Sequence, residues 1–138
     1  MIMKKILLFF SILFGVQLLS SNVYSQKVYV ISSDAENNLI PETNKLKVYV
    51  TGDTLLCHAS VFFVATANEI PLNRTDYNEG AVWATMPDEN TGCLNIKYVN
   101  TPEEADIVIY LAANANSAWW VKEEKKTLFN SKKKANCN

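Results

Sequence analysis

The chain alternates short apolar phrases with longer polar stretches. Six of the phrases centre on an aromatic residue: Val28-Tyr29-Val30, Val48-Tyr49-Val50, Phe62-Phe63-Val64, Val82-Trp83-Ala84, Lys97-Tyr98-Val99 and Ile109-Tyr110-Leu111. The centres are separated by 20, 14, 20, 15 and 12 residues. Each phrase is rich in β-branched and aromatic residues, and most run into Ser, Thr, Asn, Gly or Asp, the pattern of a strand entering a turn. Between positions 26 and 121 no stretch keeps a 3.6-residue period through three turns. The pattern predicts an all-β, compact single domain of about six or seven short repeated strands. An ordinary β-sandwich or meander would satisfy the same pattern.

Alternation along a strand sends successive side chains to opposite faces. With the aromatics as centres, Val28, Val30, Val48, Val50, Phe62, Val64, Val82, Ile109 and Leu111 share one face and are expected to form one core. Tyr29, Tyr49, Phe63, Trp83, Tyr98 and Tyr110 take the other face. Both faces are apolar enough for strands packed on two sides. Lys97 breaks the fifth phrase and marks it as an edge. The stretches 32–44 and 66–80 each hold a proline and several Asn or Asp, and read as surface loops. A last extended segment is expected around Trp119.

The first residues lie outside this pattern. "MIMKK" is basic, 6–19 is an apolar run of 14 residues, and "SSNVYSQ" turns polar. This is the layout of a signal peptide cleaved after Ser25. The run is shorter than the roughly 20 apolar residues of a membrane-spanning helix. The expected organisation is 1–25 signal peptide, 26–121 repeat domain and 122–138 lysine-rich tail, with export to the periplasm or beyond and no stable membrane anchor.

Charge narrows the partners. The whole chain carries −1, and cleavage after Ser25 leaves −3. Six lysines from Lys122 onward give the tail +4, so residues 26–121 carry −7. A body so acidic is unsuited to nucleic acid. The end of the tail, "SKKKANCN", reads as solvated, while the charged stretch before it fits a helix or an extended segment equally. Three cysteines remain: Cys57, Cys93 and Cys137. In an oxidising compartment they suggest one disulfide, with Cys57–Cys93 preferred because both lie among the repeats.

The segment "KYVNTPEEADIVIYLAANANSAWWVKEEKKTLF" resembles a family of small bacterial proteins described only as domain of unknown function 6150. The matching positions are Glu104, Ala105, Asp106, Ile109, Tyr110, Ala118, Trp119, Lys125 and Lys126. The likeness spans roughly 27–129 and is close only from about Leu94; the earlier repeats lack the "EAD" phrase. The resemblance implies a compact β fold wound as a torus knot with seven crossings, and it implies no activity, cofactor or catalytic residue.

Candidate chemistry is sparse. His58 is the lone histidine, so a Cys57–His58 dyad has no second base, and its neighbours in sequence face opposite ways. The three cysteines and His58 lack the close spacing of a zinc site. The carboxylate groups Asp88-Glu89, Glu103-Glu104-Asp106 and Glu123-Glu124 sit in turn-like sequence. Four glycines in the whole chain leave no phosphate-binding loop. Trp83, Tyr98, Tyr110, Trp119 and Trp120 could form a stacking surface, although regularly spaced aromatics usually pack inward; Trp120 is the expected exposed member. The leading expectation is a monomeric, non-enzymatic, rigid exported β module with no cofactor and no metal. The alternatives are a glycan- or peptide-binding module using those aromatics, and a small hydrolase using turn carboxylates.

Overall fold

The computed structural model describes residues 27–69 and 81–134. Each of the six phrases contains a strand: β1 (Lys27–Val30), β2 (Lys45–Thr51), β3 (Ala59–Val64), β4 (Val82–Thr85), β5 (Leu94–Tyr98) and β6 (Ile107–Leu111). A two-residue β7 (Trp119–Trp120) follows. Two helices are present, α1 (Asp34–Leu39) and α2 (Glu123–Ser131).

The expected all-β domain is overturned, as is its alternative of a sandwich or meander: two helices accompany a closed parallel barrel. β1 to β6 close into a parallel barrel in the order β4-β1-β5-β2-β6-β3, and β3 pairs back to β4. Only β7 runs antiparallel, against the start of β3. The path circles the barrel twice. β1, β2 and β3 make the first lap, leaving a strand's width between neighbours. β4, β5 and β6 fill those gaps on the second lap. Parallel neighbours cannot be joined by a tight hairpin, so each return becomes a crossover. The long polar stretches between phrases are those crossovers. Strand pairing carries no over-and-under information, so the knot implied by the resemblance is not established by it.

The register sets the interior. A level leaving β3 at 64 passes β4 at 84, β1 at 27, β5 at 93, β2 at 43 and β6 at 102, and returns to β3 at 52, a shear of 12 over six strands. Two residues of stagger per strand let every strand place one inward residue at each height. The middle layer is Val28, Ile96, Val48, Ile109, Val61 and Trp83, all fully buried. Above it, towards the strand starts, lie Leu94, Leu46, Ile107 and Ala59. Below it lie Val30, Tyr98, Val50, Leu111 and Phe63.

This arrangement revises the expected core. Val28, Val48 and Ile109 are inside the barrel, while Val64 and Val82 are buried against its outer wall beside Ala84 and Ala118. Phe62 is half-buried on that same wall, and Val50 and Leu111 are exposed. The register slips by one in three phrases: Phe63 and Trp83 point inward, and Lys97 rather than Tyr98 stands level with the outward tyrosines. Nor is β5 an edge, since β1 and β2 flank it.

Local sequence explains α1. Ser33 caps it, accepting from the Glu36 N–H at 3.2 Å, and Ile40-Pro41 ends it. α2 begins with Glu123 and Glu124, which suit the positive end of the helix dipole. The stretch after Val121, which the sequence left open between helix and extended chain, is helical: its Phe129 is 1% exposed and stacks on Trp83, with centroids 5.3 Å apart and planes at 17°. Trp120 meets the same Phe129 edge-on.

α2 and its flanks close the barrel end at the strand starts. His58 O, ahead of β3, accepts from Val121 N at 2.9 Å and Lys122 N at 3.1 Å. Asp106 O, ahead of β6, accepts from Lys125 Nζ at 2.9 Å. Glu42 O, ahead of β2, accepts from Lys132 Nζ at 3.1 Å, and Cys93 O, ahead of β5, accepts from Lys134 N at 2.9 Å. The segment thus follows the rim through four neighbouring strands.

The crossovers press closely on the wall. A Cβ added to Gly92 would lie 2.7 Å from Tyr29 Cβ and 3.1 Å from Tyr29 N, where the chain passes over β1 on its way to β5. Backbone cannot yield there as a flexible side-chain tip would. Gly92→Ala is expected to lower stability by about 1–3 kcal/mol in urea denaturation. Gly52→Ala has nothing within 4 Å of the new methyl and is the control.

Candidate functional site

The two ends of the barrel are unlike. The end at the strand starts is capped by α2. At the other end, the third inward layer has the composition of a core but lacks its cover. Tyr98 is 43% exposed, Val50 38% and Leu111 50%, and these three belong to the consecutive strands β5, β2 and β6. Val30 and Phe63, half-buried and packed against the layer above, and the exposed Thr85 of β4 complete the ring. Burial keeps the Tyr98 phenol above its ordinary pKa, so it presents a neutral hydroxyl. The result is a largely apolar mouth with two hydrogen-bonding side chains, Tyr98 and Thr85.

The anticipated aromatic surface is dispersed by this geometry. Trp83 is inside the barrel. Trp120 packs on Phe129, whereas Trp119 is 56% exposed, reversing the expectation for that pair. Tyr98 lies at the open mouth. Tyr110 and Trp119 are on the outer wall, paired from opposite sides with Ser60. One stripe cannot hold residues from the interior, the mouth and the wall. Val50 and Leu111, which belong to the mouth, carried no sequence signal separating them from buried aliphatics.

The preferred disulfide is also corrected. Cys57 is a buried free thiol, while Cys93 is disulfide-bonded. β3 and β5, which these residues precede, face each other across the ring with two strands between them on either side. The free thiol of Cys57 excludes a bond between the two cysteines. Cys137 lies outside the described residues, as do the signal-peptide region 1–25 and most of the 66–80 loop.

Cys57 and His58 do not act together. Cys57 Sγ donates to Thr54 O at 3.2 Å, and burial raises its thiol pKa. His58 Nδ1 accepts from Val108 N at 3.0 Å, and the His58 backbone N–H donates to Val108 O at 2.7 Å. The histidine is therefore a neutral joint between β3 and β6, beneath the start of α2. Its pKa is lowered, first by burial and then by Lys125 and Lys122, with Glu124 opposing. A histidine harder to protonate when folded contributes stability above its unfolded pKa of about 6.5, and that contribution is lost as pH falls through the folded value. Stability should begin to fall as pH drops below about 6.5 in urea titrations, and His58→Asn should remove that dependence. Glu36, Glu42 and Glu89, whose pKa values are also lowered, contribute stability above their reference 4.5 and lose it only as pH falls below that value, outside the histidine's range.

The turn carboxylates have structural partners. Asp88 Oδ1 accepts from Thr91 N at 2.9 Å, Glu89 pairs with Lys134 at 2.8 Å, and Asp106 Oδ2 accepts from Lys47 N at 2.9 Å. Asp106 also receives Lys125, so two positions of the family-like phrase meet at the α2 cap. Among the described residues, no group of three or more His, Cys, Asp or Glu is placed to hold a metal ion, and no helix is long and apolar enough to cross a membrane. The chain matches no family model, no curated protein and no solved structure.

Proposed function

We propose that the protein is a non-enzymatic, exported binding module whose open barrel mouth receives an apolar peptide side chain. The exposed third layer carries this reading: Tyr98, Val50 and Leu111 are core-like residues left facing solvent on adjacent strands. Contiguous apolar exposure of this kind marks interaction surfaces, and barrel mouths are common binding sites. Two of the three residues are aliphatic, which favours a peptide side chain over a sugar ring that would stack on aromatics. The basic start and apolar run at 6–19 support export. A hydrolase is disfavoured because Glu36 and Glu89, which line a wall cavity, both have lowered pKa values; neither is held protonated as a general acid near neutral pH.

The test is selection of peptides from a random library on the purified protein, followed by calorimetry. Enriched peptides with an apolar anchor should bind wild type and lose most of their affinity for Val50→Asp, while Lys97→Glu on the outer wall leaves binding unchanged. Enrichment indifferent to Val50→Asp, or none at all, would reject the mouth as the site.

A further inference from the structure

A second concavity lies on the outer wall, where α1 folds back beside β1. It has a volume of about 190 Å³ and is lined by Tyr29, Glu36, Leu39, Ile40, Pro41 and Glu89. We infer that this cavity binds a cationic nitrogen carried on an aliphatic stem, an alkylammonium such as the end of a lysine side chain.

The argument is an inventory of donors and acceptors. The single hydroxyl proton of Tyr29 is committed to Glu36 Oε1 at 2.7 Å. Glu36 Oε2 receives Ser32 N at 3.1 Å and Ser32 Oγ at 3.0 Å, so the carboxylate is fixed in place. Glu89 Oε1 receives Lys134 at 2.8 Å. Beside Tyr29 in the register stands Asn95, 0% exposed, with its amide nitrogen 3.5 Å from Glu89 Oε1 and no hydrogen-bond partner on its Oδ1. The lining side chains thus offer remaining lone pairs on Tyr29 Oη and both carboxylates, but no uncommitted side-chain proton.

Charge agrees with that inventory. The Glu36 pKa is lowered, chiefly by the Tyr29 hydroxyl, and the Glu89 pKa chiefly by Lys134. Two carboxylates against one ammonium leave the cavity net negative. A neutral donor would gain hydrogen bonds there, while a cation gains both hydrogen bonds and charge, and could lie against the Tyr29 ring. Leu39, 83% exposed, with Ile40 and Pro41 forms an apolar lip suited to methylene groups.

The experiment titrates the purified protein with n-butylammonium and, separately, n-butanol, following backbone amides by NMR. Butylammonium should give saturable shifts at Tyr29, Glu36 and Ile40, and butanol much weaker ones. Glu36→Gln keeps an acceptor for Tyr29 yet removes charge, and should weaken butylammonium by roughly tenfold or more. Glu89→Gln is the second variant should the first perturb α1. Shifts that are equal for butanol, or undiminished in both variants, would overturn the assignment. A lysine blocked at both backbone ends separates the sources: tighter binding than butylammonium assigns the ligand to a protein side chain, and equal or weaker binding assigns it to a free amine. Both of those results support the cation site. The mouth is a separate surface, so Val50→Asp should leave amine binding intact whatever it does to peptides.

Discussion

Phe129→Ala is expected to destabilise the protein by about 3–5 kcal/mol, the range for deleting a buried aromatic ring. In a domain of this size that lowers the melting temperature by roughly 15 °C or more. The residue lies in a lysine-rich segment, yet it is 1% exposed and packed between Trp83 and Trp120. Above the middle layer, β3 contributes only Ala59 to the interior, so the ring of Phe129 supplies volume that no strand residue does. Removing it leaves a void over Trp83. It also removes the main apolar anchor of α2, leaving the half-buried Leu128 and hydrogen bonds to strand-start carbonyls.

The experiment separates these effects. Phe129→Leu retains an apolar plug and should recover about half of the loss, measured by urea denaturation. Thr127→Ala on the exposed face of α2 should be nearly silent, because its side chain meets only Glu123 O at 3.4 Å. If Phe129→Ala and Thr127→Ala were equally mild, α2 would be a loosely held tail rather than a cap.

The six strands were legible because each carries a short β-branched and aromatic run. Their direction was not. An antiparallel meander and a twice-wound parallel barrel use the same phrases, and only the partner of each strand distinguishes them. Long returns such as 31–44, together with apolar residues on both faces of "KLKVYVT" and "ASVFFV", were the available clue. Centring every phrase on an aromatic hid the inward turn of Phe63 and Trp83, since a large ring can fill the barrel as readily as decorate it. The cap of α1 was readable in Ser33-Asp34-Ala35-Glu36, but six helical residues give too little periodicity to stand out. Nothing local told Val50 from Val48: both are valines of one alternating face, and only the layer count assigns one to the sealed middle and the other to the open mouth.

That distinction makes the second large effect. Val48→Asp is expected to abolish folding, and Val50→Asp to leave a folded protein. Both replace a valine of β2 by aspartate, two residues apart on one face, so strand propensity and side-chain chemistry are matched. Val48 is fully buried in a ring with Val28, Ile96, Ile109, Val61 and Trp83, none of which carries a compensating positive charge. An unpaired charge there costs several kcal/mol, added to the loss of apolar packing, and the sum is comparable to the roughly 5–15 kcal/mol that holds a domain together. Val50 is 38% exposed, so its carboxylate can reach water, and the loss should be about 1 kcal/mol or less. Circular dichroism and thermal melts check the pair: Val48→Asp should show no cooperative transition, and Val50→Asp a transition near that of wild type. A well-folded Val48→Asp protein would contradict the sealed middle layer, and an unfolded Val50→Asp protein would show that the mouth is structural core rather than an interaction surface. A folded Val50→Asp protein that no longer retains apolar peptides is the combination that a barrel with one capped end and one binding end requires.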